Sequence, residues 1–129
     1  MATIDHLILN VNDIASSVDF YVGVLGFSLE GEDGPFTVIR VNGAFTLQLA
    51  PWGTGGNDHL AFAMSRKEFD EAFERIKRMA VPFGDSFHNV GNNTGPGNET
   101  GARGPGPTVY MNDPNNHLIE IRTYAEEKI

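Results

Sequence analysis

Polar and apolar positions alternate along several short segments of this chain, then switch to a helical period, and the sequence of events occurs twice. Residues 3–11 alternate and are rich in Ile, Leu and Val, which predicts a strand. Asp13 follows as an N-cap. The apolar positions Ile14, Val18, Tyr21, Val22 and Leu25 keep helical spacing, and Gly26 supplies a C-terminal stop. Residues 27–30, 37–41 and 44–50 read as three further strands, the last two joined by the hairpin turn Asn42-Gly43. The first unit is therefore strand, helix, three strands.

A second copy opens at Asp58. Ser65-Arg66-Lys67-Glu68 has the form of a capping box. A helix follows, with Phe69, Phe73, Ile76 and Met79 as its apolar stripe; Pro82 stops it. Strands are expected at 81–84, 108–112 and 117–123, with Asp113-Pro114-Asn115-Asn116 as the turn between the last two. Residues after Ala125 are expected to cap the surface. The chain is read as one domain over residues 1–129, with module one at about 1–53 and module two at about 57–125.

Four side chains recur at matching places in this plan. Asp5-His6-Leu7 opens the first unit and Asp58-His59-Leu60 the second. Gln48 lies in the last strand of the first unit and Glu120 in the last strand of the second. Strand alternation places His6 with Ile8 and Asn10, and His59 with Ala61 and Ala63. Gln48 falls with Thr46, and Glu120 with Leu118, Arg122 and Tyr124. Each of the four sits on the smaller or more polar face of its strand. A lone strand histidine is more often a hydrogen-bonded packing residue, but the repeated motif makes independent accidents a poor explanation. Two imidazoles with carboxylate and amide oxygens suit a catalytic divalent metal with open positions. A curved sheet would gather the four polar faces around a cavity.

The repeat is imperfect. His59 precedes Glu120 by 61 residues, whereas His6 precedes Gln48 by 42. The difference falls in residues 88–106, a polar stretch with six glycines, which reads equally as a functional loop or as a disordered one; as a functional loop it would be a mobile lid over the site, ordered by ligand. His88 lies in it and is a candidate substrate contact. His117 falls on the face opposite Glu120 and is not assigned to the metal.

Composition narrows the function classes. An apolar content of 40% in 129 residues is that of a globular domain. No run approaches the ~18 apolar residues of a membrane-spanning helix, and a cytoplasmic location is expected. The net charge of −8 argues against nucleic acid, and the absence of cysteine excludes disulfides and thiolate metal sites.

The opening DHLILNVNDIASSVDFYVGVLGF, the closing YMNDPNNHLIEI and the tandem strand-helix-three-strand plan resemble the vicinal oxygen chelate superfamily over nearly the whole chain. Glyoxalase I, extradiol dioxygenases, fosfomycin-resistance enzymes and bleomycin-binding proteins belong to it. The resemblance implies an α+β fold: paired βαβββ modules forming an open, cup-shaped mixed sheet with the helices outside. It implies one divalent ion (Zn, Ni, Mn, Co or Fe(II)) held by His6, His59 and Glu120, with Gln48 where glyoxalase I carries a further ligand. Tyr110 matches a position that often faces substrate. Arg122 and Tyr124 are further candidates for substrate contact, and Tyr110, a candidate catalytic residue, or Tyr124 for assisting proton transfer. The usual turn Asp-Pro-Asp-Gly-Asn is here Asp113-Pro114-Asn115-Asn116-His117. The expected function is a glyoxalase-type lyase or isomerase in which Glu120 acts as base, on a small substrate that chelates through neighbouring oxygens. The alternatives are an Fe(II) extradiol dioxygenase and, further off, a drug-binding resistance protein. The modules of this family commonly pair as homodimers.

Overall fold

The computed structural model describes residues 1–124, so the expectation for the residues after Ala125 lies outside the described part. The chain divides into two compact units, Met1–Gly55 and Gly56 onward. Among the described residues no helix is long and apolar enough to cross a membrane.

The first unit runs β1 (His6–Asn10), α1 (Ile14–Val18) with a continuing turn over Asp19–Val24, β2 (Ser28–Asp33), β3 (Phe36–Asn42) and β4 (Phe45–Ala50). Its sheet has the order β1-β4-β3-β2, with β1 parallel to β4 and the other pairs antiparallel. Asp13 caps α1, its Oδ2 accepting the Ser16 N–H at 2.9 Å. The helix widens towards its end, where the Leu25 N–H reaches the Phe20 carbonyl five residues back. Gly26, at φ +87°, closes it. The buried row is Ser17, Phe20, Tyr21, Val24 and Leu25. It lies beside the expected row, and Ile14, Val18 and Val22 are only half-buried. The Asn42-Gly43 turn forms as expected, with Asn42 Oδ1 accepting the Ala44 N–H. β2 extends past the expected Glu30 to Asp33 with a bulge after Leu29. Pairing with β3 outweighs the weak strand preference of Glu-Gly-Glu-Asp, and the charges suit an edge strand.

The second unit runs β5 (His59–Ala63), α2 (Arg66–Arg78), β6 (Thr100–Gly101), β7 (Gly104–Pro105), β8 (Thr108–Asn112) and β9 (Leu118–Arg122). Its main sheet has the order β5-β9-β8, with β5 parallel to β9; β6 and β7 form a separate hairpin. The capping box is present in full, Ser65 and Glu68 each satisfying the other's backbone N–H. Phe69, Ala72 and Ile76 are buried along α2. Met79 is not part of that stripe: it is the C-cap residue and is exposed, because the helix ends at Arg78. The strand expected at 81–84 shrinks to a single bridge, Gly84 to Tyr110. Pro82 has no N–H to give. Gly84 is pressed so closely on the Asn89 carbonyl that a Cβ would lie 1.4 Å from its oxygen. That bridge sits on the far edge of β8, as β2 sits beyond β3 in the first unit. The turn before β9 is fastened by Asp113, whose Oδ1 accepts the N–H groups of Asn115 and His117. Asn116 takes φ +67° there, a left-handed position that Asn tolerates where Gly is usual.

The alternation read from the sequence has its physical counterpart in burial. Leu9, Val11, Leu47 and Leu49 are buried in the first unit, as are Leu60, Phe62, Met64, Ile119 and Ile121 in the second. On the other faces, His6, Ile8 and Asn10 are exposed, as are His59, Ala61 and Ala63. Leu7 is exposed at the start of the edge strand β1. Replacing fully buried Ile121 with Ala should lower stability by about 2–5 kcal/mol. Ser65→Ala should cost about 1 kcal/mol through loss of the helix cap. Urea unfolding would measure both, and an Ile121→Ala cost no larger than that of Ser65→Ala would contradict this picture of the core.

Candidate metal centre

The candidate ligands come from the parallel strand pair of each unit. In the β5–β9 register, Ala61 stands opposite Glu120 and His59 opposite Leu118. His59 is therefore the diagonal neighbour of Glu120 on the same face. In the β1–β4 register, Ile8 stands opposite Gln48 and His6 opposite Thr46. The relation of His6 to Gln48 is the same diagonal. Sequence spacing alone concealed this, because 61 residues separate one pair and 42 the other.

In the second unit, His59 Nε2 lies 3.2 Å from Glu120 Oε1. Two donors each about 2.0–2.2 Å from one ion are themselves about 3–3.5 Å apart at ordinary coordination angles, so this pair fits a shared divalent ion. The His59 side chain is 48% exposed, while Glu120 is buried. In the first unit, His6 is exposed to the same extent, and its Nδ1 lies 2.8 Å from Asp5 Oδ2. A carboxylate on Nδ1 leaves Nε2 as the free donor, an arrangement that orients metal-binding histidines. Gln48 Oε1 accepts the Thr46 hydroxyl at 2.7 Å, which turns its amide. Each unit by itself thus offers two donors. Among the described residues, no three His, Cys, Asp or Glu side chains form a complete metal-holding group.

Glu120 is embedded in a polar cluster that burial makes demanding. Its Oε2 accepts Arg122 Nη1 at 2.6 Å. Arg122 Nη2 donates to the carbonyls of Glu99, at 2.9 Å, and Gly104, at 3.2 Å. Tyr110, opposite Glu120 in the β8–β9 register, is buried and its ring is 6.4 Å from that of His59. Burial first, then the charge of Glu120 and a hydrogen bond to it, push the Tyr110 phenol up to about 12. It is a neutral proton donor at ordinary pH.

The structure brings His59, Glu120, Tyr110 and Arg122 together. Arg122 is not a free cation awaiting substrate: it is almost wholly buried and faces Glu120. The Tyr124 ring lies between the guanidinium groups of Arg103 and Arg122, at 4.5 and 4.8 Å, and its hydroxyl accepts the Arg103 N–H. His88 is exposed, its ring 3.9 Å from that of Phe87, and no described hydrogen bond or ring contact joins it to the cluster. His117 is fully buried and its Nδ1 accepts the Asp58 N–H. The orienting partners Asp5 and Thr46 escaped the sequence reading. The Asp-His dipeptide and the Thr-x-Gln alternation were the signals that could have found them. On the Gln48 side, a cavity of about 400 Å³ is lined in part by Glu30, Glu32, Asp33, Arg40 and Thr46. Arg40 is already paired with Glu30, its Nη2 donating at 3.0 Å.

Comparison with known proteins agrees with this plan. The profile of the Glyoxalase/Bleomycin resistance protein/Dioxygenase superfamily matches residues 3–121. The chain belongs to that superfamily. Among its relatives in the superfamily, the metallothiol transferase FosB of Lysinibacillus sphaericus is 26% identical over 94% of this chain and 82% of its own length. A virulence protein of Salmonella typhimurium is 30% identical over 95% of this chain and 84% of its own. The solved structure of the oxidase ChaP-H1 superposes with a TM-score of 0.80 at 27% identity, covering 95% of this chain and 96% of that one. The fold is the glyoxalase/dioxygenase fold of this superfamily, α+β with tandem βαβββ units.

The raised Tyr110 value has a pH consequence. The folded state holds that proton more tightly than the unfolded chain does. The resulting stabilisation is present below pH 10 and is lost as pH rises towards about 12. Titration of phenolate absorbance in metal-free protein, as a difference against Tyr110→Phe, should show a group ionising near 12; ionisation near 10 would contradict the buried, Glu120-facing position.

Proposed function

We propose that this chain is a divalent-metal-dependent enzyme, with His6, Gln48, His59 and Glu120 supplying the metal donors. Its reaction is that of a glyoxalase-type lyase or isomerase on a small substrate that chelates the metal through neighbouring oxygens. The observation that carries this reading is the 3.2 Å approach of His59 Nε2 to Glu120 Oε1, with Gln48 at the register-equivalent place in the other unit. When bound, the ion supplies Lewis acidity to the substrate oxygens. The protein's own part is proton handling. Glu120 Oε1 faces the imidazole and is the carboxylate oxygen that would take a proton on leaving the ion. Tyr110 is held neutral beside it and can donate one. The cavity beside Gln48 carries three carboxylates, one of which, Glu30, is paired with its single arginine, so that Glu32 and Asp33 leave it net negative. It favours a neutral or cationic substrate over a phosphonate or other multiply anionic one. Since each unit supplies two donors, a homodimer that completes the centre is part of the proposal.

A second reading, Fe(II)-dependent oxygen chemistry such as extradiol ring cleavage, is supported by the likeness to the oxidase ChaP-H1. Its triad would be His6, His59 and Glu120. One panel separates the two. Protein loaded with Ni, Zn, Co or Mn is assayed on hemithioacetals, and anaerobically Fe(II)-loaded protein is assayed for oxygen uptake with catechols. Isomerisation that falls about 10²–10⁴-fold in Glu120→Gln is the expected result. Oxygen uptake with Fe(II) alone would transfer the assignment to the second reading, and inactivity in every form would remove both.

A further inference from the structure

Glu120 and Arg122 are alternate residues on β9 and share a face, and, besides the hydrogen bond from Tyr110, the two oxygens of Glu120 have different partners. Oε1 points to His59 Nε2, and Oε2 is taken by Arg122 Nη1 at 2.6 Å. Arg122 cannot easily release it. Its Nη2 is fixed by the carbonyls of Glu99, just before β6, and Gly104, in β7, and its guanidinium lies 4.8 Å from the Tyr124 ring centroid. Its Nε is buried without a hydrogen-bond partner among the described residues, a cost accepted in favour of the orientation that serves Glu120 and the hairpin. Gly101, in β6, lies directly against it: a Cβ there would fall 2.3 Å from Arg122 Cζ and 2.6 Å from Nε.

From this we infer that Arg122, clamped by the β6–β7 hairpin, is a positioning residue that reserves one oxygen of Glu120 and so makes it a one-oxygen ligand. The inference rests on the metal-centre reading of His59 and Glu120. A free carboxylate can bind a divalent ion through one oxygen or two. With Oε2 held by a cation that is itself held by two carbonyls, only Oε1 is presented, and a coordination position stays open for substrate. The polar loop that breaks the repeat thereby gains a definite role, since its hairpin sets the denticity of a metal ligand.

Affinity alone would not test this. Loss of an orienting partner typically weakens metal binding about 10–100-fold, while removal of a cation close to a divalent ion strengthens it. Coordination geometry is the direct readout. Co(II)-substituted full-length protein is compared as wild type, Arg122→Gln, Arg122→Lys, Gly101→Ala and Gly91→Ala, with His59→Ala as the reference for the centre itself. The visible d–d band of Co(II) weakens as coordination number rises towards octahedral. It should weaken and shift in the same direction in Arg122→Gln and in Gly101→Ala, whose added methyl must displace the guanidinium. Arg122→Lys should fall between these and wild type. Gly91→Ala, in the same loop with open space around it, should match wild type. If Arg122→Gln does not fold, Gly101→Ala and Arg122→Lys carry the test. Wild-type spectra in the folded variants, with the band abolished in His59→Ala, would overturn the positioning role and leave the metal centre standing. A wild-type protein with no Co(II) band would overturn both.

Discussion

Each pair of candidate donors depends on the parallel register of a first strand against a last strand, set once in each unit. A slip of one residue between β5 and β9 would carry Glu120 and Arg122 onto the apolar face and remove Ile119 and Ile121 from the core to the polar face. Each such apolar side chain is worth about 1.5–3 kcal/mol when fully buried, so the core itself holds the candidate ligands in register. The same restraint acts between β1 and β4, where Leu9, Leu47 and Leu49 are buried behind His6 and Gln48. Core and site are the two faces of one alternation.

Burial of Glu120 is the second constraint. A carboxylate removed from water needs compensation, and a buried ion pair is stabilising only where its remaining polar atoms are satisfied. Here the compensation comes from three strands and a loop: Arg122 on β9, Tyr110 on β8, His59 on β5, and the Glu99 and Gly104 carbonyls that hold Arg122. Residues 88–106, expected as a lid, carry fixed structure of their own. Gly97 pairs with Thr108, β6 pairs with β7, and Asn93 exchanges hydrogen bonds with Phe83.

Much of this was legible in the sequence because it depends on period and local chemistry. The strand-helix-three-strand order of the first unit, the opening strand, helix and last two strands of the second, the Asn42-Gly43 turn, the Ser65 capping box and the face of each candidate ligand follow from alternation and cap residues. What was hidden depends on partners distant in sequence. Strand 81–84 fails because Pro82 gives no N–H and Gly84 is pinned against Asn89, a loop contact with no local signature. Glu-Gly-Glu-Asp becomes strand only because β3 pairs with it. The positioning of Arg122 was hidden because it is set by the Glu99 and Gly104 carbonyls, roughly twenty residues away in the chain. Its position two residues after Glu120 was nonetheless a usable signal, since alternate strand residues share a face.

The most direct test is metal stoichiometry by elemental analysis on untagged protein, with His6→Ala and His59→Ala measured alongside. If the two register-equivalent pairs serve one centre, wild type should carry close to one divalent ion per chain, and each single variant should lose it. Metal retained in full by either variant, or no uptake by wild type on titration with Fe(II), Mn, Ni or Zn, would contradict a shared centre.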